Sequence, residues 1–68
     1  MKLKDALPFY GRDVIATLGD GSRISGRFDL YQSLAEEPDE PEAIGIEEFG
    51  GFITEIPVEK IRSIEDAT

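Results

Sequence analysis

Apolar and polar residues alternate with a period of two over most of this chain, the pattern of half-buried β-strands. The clearest stretch is residues 14–31, VIATLGDGSRISGRFDLY. A first strand is predicted over 13–18, with Val14, Ala16 and Leu18 on one side and Ile15 and Thr17 on the other. Its β-branched residues suit a pleated surface. Gly19-Asp20-Gly21-Ser22 follows as a hairpin turn, because Asp-Gly supplies the positive φ angles such turns need. A second strand is predicted over 23–31, with Ile24, Gly26, Phe28 and Leu30 inward and Arg23, Ser25, Arg27 and Asp29 outward. Gly26 interrupts the apolar row, and a glycine inside a strand marks a sharp bend or a close backbone approach. A strand bent there can belong to both sheets of a small barrel.

The remaining pattern adds a helix and three strands. Leu3, Ala6 and Leu7 share one side of a short helix over 3–7, which Pro8 stops. Gly11 marks a turn. Residues 32–41, QSLAEEPDEP, form an acidic loop with no apolar face. A third strand over 42–48 places Ile44 and Ile46 inward. Gly50-Gly51 turns the chain into a fourth strand over 52–56, with Phe52, Thr54 and Ile56 on one face and Ile53 and Glu55 on the other. Pro57 has no N–H to donate and ends that strand, a 3₁₀ turn covers 57–60, and a last strand covers 61–65. The predicted fold is mainly β: five strands in a strongly bent antiparallel sheet closed on itself, an SH3-like barrel with a short N-terminal helix.

Composition narrows the chemistry. With 68 residues the chain is one domain near the lower size limit for folding alone. Its apolar side chains suffice for one core and leave little surplus, which favours self-association as added stabilisation. The chain has no cysteine and no histidine, so it lacks disulfides, thiolates, and the commonest general base and metal ligand. The opening MKLKDALPFYGRD holds no apolar run of signal-peptide length, and no segment approaches a membrane span. A soluble cytoplasmic protein is expected.

The net charge of −8 is unevenly spread. Residues 1–35 sum to +1, residues 36–59 to −9 with no basic group, and residues 60–68 to zero. Such an acidic block repels phosphate backbones.

Gly11, Val14, Leu18, Asp20-Gly21, Ile24, Gly26, Phe28 and Tyr31 fall where the first motif of the Sm/LSm family of small β-barrels would put them. The tail IPVEKIRSI is similar in rhythm to that family's second motif, with Ile56, Ile61 and Ile64 at its apolar places. The chain thus resembles an Sm-like barrel over nearly its whole length. The resemblance implies a ring or dimer built by pairing the edges of the fourth and fifth strands, with Phe52, Ile53, Ile56, Ile61 and Ile64 as candidate interface residues. It also implies where RNA would be read. There the chain departs from the family: Gln32 stands at the aspartate place, Glu36 at the asparagine place, and Pro57-Val58 at the Arg-Gly place.

Other candidate sites are weighed by chemistry. Glu36, Glu37, Asp39, Glu40 and Glu42 lack the alternating glycine-bearing spacing of a Ca²⁺ loop, and a solvated loop explains them better. Glu47, Glu48 and Glu55 would need a pocket that separates their pKa values, which a filled barrel does not offer. The glycine pairs lack the helix and lysine of a phosphate loop. Lys2, Lys4, Arg12, Arg23 and Arg27 are a basic cluster beside Tyr10 and Tyr31, and pairing with nearby acids is its simpler reading.

The expected function is a non-catalytic, self-assembling or protein-binding module without cofactor, metal or membrane. The alternative is an RNA-binding ring with altered contacts at Arg23, Arg27, Tyr31 and Gln32.

Overall fold

A computed structural model describes residues 1–33, 42–48 and 50–67. Most of the acidic loop, Glu36 included, lies outside the described residues. Helix α1 (Leu3–Ala6) runs into a 3₁₀ turn over Leu7–Phe9, and β1 (Asp13–Leu18) and β2 (Arg23–Gln32) form the first hairpin. β3 (Ala43–Glu47), β4 (Ile53–Pro57), a 3₁₀ turn over Val58–Lys60 and β5 (Ile61–Asp66) complete the chain. All pairings are antiparallel, in one five-stranded sheet of order β4-β3-β2-β1-β5. The sheet expected to close on itself remains open, with β4 and β5 as its outer strands.

The turns follow from glycine chemistry. Gly21 takes φ of 90°, while Asp20 does not adopt a positive φ. Instead the Asp20 carboxylate accepts bonds from the Ser22 N–H at 2.9 Å and the Ser22 hydroxyl at 2.6 Å, a side-chain turn that replaces the second left-handed residue. Gly26 sits in the β2 bend, where the backbone of β3 comes so close that a Cβ would lie 2.9 Å from the Glu48 Cα. No side chain fits there, as a mid-strand glycine suggested.

The core is built from Val14, Ala16, Phe28, Ile44, Ile46, Ile56, Val58, Ile61 and Ile64, roofed by Leu3 and Ala6 of α1. Phe28 is fully buried, which contributes about 1.5–3 kcal/mol by removal of its ring from water. α1 therefore covers the core face. Ile15 and Ile53 lie on the opposite face.

Two bulges break the alternation. On β2, Phe28 pairs with Ile46 and Leu30 with Gly45, so Asp29 is an extra residue. Leu30 was expected inward. The bulge turns it outward, and it is 48% exposed. On β5, Thr17 pairs with Ser63 and Leu18 with Ile61, so Arg62 is extra. That bulge brings Ile61 and Ile64, three positions apart, onto the same buried face.

Candidate functional site

The outer face of the sheet is the candidate site, because the features that the core does not absorb gather there. Cross-strand register sets its layout. Arg27, Glu47 and Ile53 form one row across β2, β3 and β4. Leu30, Gly45 and Glu55 form the next, and Gln32, Ala43 and Pro57 the third.

Above the first row lies an open hollow of about 600 Å³, lined by Asp13, Ser25, Arg27, Asp29, Glu47 and Glu48 among others. Arg27 is held to Asp13, directly across the β1–β2 pair, at 3.6 Å. The Glu48 carboxylate accepts a hydrogen bond from the Thr54 hydroxyl. One carboxylate oxygen of Asp29 is buried with no hydrogen-bond partner among the described residues, and its backbone carbonyl accepts the Tyr10 hydroxyl at 3.1 Å. Among the described residues no three carboxylates gather closely enough to hold a metal ion. The hollow offers a paired guanidinium and separate carboxylates, so its chemistry is electrostatic attraction rather than chelation.

The four candidate RNA-contact residues all lie on β2, but they do not converge. Arg23 and Gln32 stand at opposite ends of that strand, nine residues apart, with the Gly26 bend and the Asp29 bulge between them. Arg23 and Arg27 face outward ahead of the bulge. Tyr31 lies beyond it, paired with Ile44 and in edge-to-face contact with Tyr10 at 5.4 Å. Of the basic cluster, Arg12 is bound to Asp66 at 3.3 Å and Arg27 to Asp13, while Lys2, Lys4 and Arg23 form no ion pair among the described residues.

The five candidate interface residues divide by burial. Phe52 and Ile53 are 73% and 52% exposed, at the entry to β4. Ile56, Ile61 and Ile64 are buried in the chain's own core, so they present backbone edges rather than side chains to a neighbour.

Sequence reasoning missed Leu30 as a surface residue and Gly45 as the buried position beneath it. A Cβ at position 45 would lie 3.0 Å from the Leu30 Cβ and 3.4 Å from the Ile53 Cγ2. Those two side chains therefore close over the glycine on the outer face. At the Asp20 turn the carboxyl is held below its ordinary value of 3.8, first by the Ser22 hydroxyl and then by the Ser22 N–H. No family model, curated protein or solved structure matches the chain.

Proposed function

We propose that the protein is a non-catalytic small β-domain of Sm-like strand order that acts as a self-assembling or protein-binding module in the cytoplasm. The observation that carries this reading is that β4 and β5 end a single sheet with no strand on their outer sides among the described residues. Unpaired strand edges are templates for another chain. The edges are also unlike: β4 carries Glu55 beside exposed Ile53, and β5 carries the bulged Arg62 together with Glu65 and Asp66. Joining β4 of one copy to β5 of the next is a head-to-tail contact, which closes into a ring when the rotation between copies allows it. The missing histidine and cysteine support the non-catalytic half of the reading.

Sedimentation over a wide range of protein concentration tests the assembly. A species larger than the monomer is expected, and a monomer at the highest concentration overturns it.

The second reading, an RNA-binding ring, is favoured by the exposed Tyr10–Tyr31 pair and by an Arg23 without an ion-pair partner among the described residues. Exposed tyrosine rings stack on unpaired bases. Titration with labelled oligo-U and oligo-A at low salt tests it, since low salt maximises the phosphate attraction. Absence of binding there removes this reading.

A further inference from the structure

On the outer face, the row Leu30–Gly45–Glu55 borders a slot of about 130 Å³. Ala43 and Gly45 make its floor, Leu30 and Gln32 one wall, and Glu55 the other. Small-molecule pockets run from about 300 Å³ upward, so this slot takes one side chain rather than a metabolite. Its chemistry is divided in the same way as a long basic side chain. The floor and the Leu30 wall are apolar and suit a methylene stem, and the Glu55 carboxylate on the rim suits a cationic head. Glu55 is exposed and forms no ion pair among the described residues.

The surroundings specify the same partner. The chain has no lysine or arginine between Arg27 and Lys60. Glu55 lines the slot and Glu47 lies in the neighbouring row of the same face, in register with Arg27, so Glu55 is the acid of the slot itself. Leu30 and Ile53, about half exposed, extend the apolar surface beside the slot.

We infer that this slot docks a lysine or arginine side chain from a basic, apolar segment of another protein. The inference rests on the reading of the chain as an interaction module and names the partner's chemistry. The slot opens on the face of the sheet and its Glu55 wall belongs to the outer strand β4, so docking is read from the peptide titration and assembly from sedimentation without peptide.

The test is a titration of isotope-labelled protein with a short blocked peptide of alternating lysine and valine, followed by NMR. Matched peptides carry glutamate for lysine, or glycine for valine. The largest shifts are expected at Leu30, Ala43, Gly45 and Glu55, with the lysine–valine peptide binding tightest. Glu55→Gln, which keeps the shape and removes the charge, is expected to weaken binding about fivefold, the upper range for an exposed ion pair. Gly45→Ala, whose methyl group pushes Leu30 and Ile53 against the slot, weakens it as well. Glu65→Gln, on the far side of the sheet, leaves it unchanged.

Equal loss in Glu55→Gln and Glu65→Gln, or equal binding of the lysine–glycine peptide, overturns the inference in favour of diffuse charge attraction. Slot shifts that grow with protein concentration in the absence of peptide overturn it in favour of a second copy. If the peptide fails while sedimentation still shows assembly, the slot assignment falls and the assembly reading stands.

Discussion

The two bulges of the sheet do opposite things. On β5, the extra residue Arg62 lets Ile61 and Ile64 both reach the core, although they are three positions apart. On β2, the extra residue Asp29 takes Leu30 out of the core row begun by Phe28 and sets it on the surface over Gly45. One bulge serves burial and the other serves exposure. A residue of the same polarity can thus be a core residue or a surface anchor, and the local backbone register decides which.

The contrast is open to direct attack. Phe28→Ala is expected to cost about 3–5 kcal/mol and Ile61→Ala about 2–5 kcal/mol, the range for emptying a closed core site. Leu30→Ala, two residues from Phe28, is expected to cost under about 1 kcal/mol, because half of its surface already meets water. Urea denaturation of the three variants checks this. A Leu30→Ala loss equal to that of Phe28→Ala would put Leu30 in the core and remove the β2 bulge from the account.

The two mid-strand glycines give a second contrast. Gly26→Ala drives a methyl group into the backbone of β3, and about 3 kcal/mol of destabilisation is expected, since backbone cannot step aside. Gly45→Ala meets the side chains of Leu30 and Ile53, which can shift at the surface, so about 1 kcal/mol or less is expected. Thermal melts of both variants rank them, and equal losses would mean that Leu30 and Ile53 are held as rigidly as the core.

The smallest effect is at the Asp20 turn. Its carboxyl is lowered from 3.8 in the folded chain by the Ser22 hydroxyl and N–H. Its contribution to stability is therefore present above the unfolded value and is lost as pH falls through the lowered folded value. Ser22→Ala removes the larger of those bonds. Denaturation at neutral pH should separate Ser22→Ala from the parent, and the difference should shrink on acidification below the lowered Asp20 value. A difference that is independent of pH would assign the effect to the turn backbone instead.

Much of the fold was legible from alternation and turn chemistry. β1 spans the residues predicted for it, and β2 extends one residue further, to Gln32. The close approach at Gly26 was one of two readings, with a sharp bend, that a glycine interrupting an apolar row offers. The β2 bulge was not readable, since Phe28 and Leu30 keep the period of two and register is set by the partner strand. The spacing of Ile61 and Ile64, by contrast, is a signal for the β5 bulge, because strict alternation would send one of them to the surface. The candidate site was less legible. Arg23, Arg27, Tyr31 and Gln32 are adjacent along the chain, yet strand length and the bulge spread them apart. The slot at Gly45 combines three strands, and no local pattern brings those strands together.

The central claim is that the two open edges of the sheet join copies of the chain. Sedimentation of the parent protein beside Ile53→Lys tests it most directly, because a lysine on an edge strand opposes pairing while position 53 is too exposed to disturb the core. The account predicts assembly in the parent that grows with concentration, and a folded monomer for Ile53→Lys. A parent that stays monomeric throughout, or an Ile53→Lys variant that assembles as fully as the parent, would contradict it.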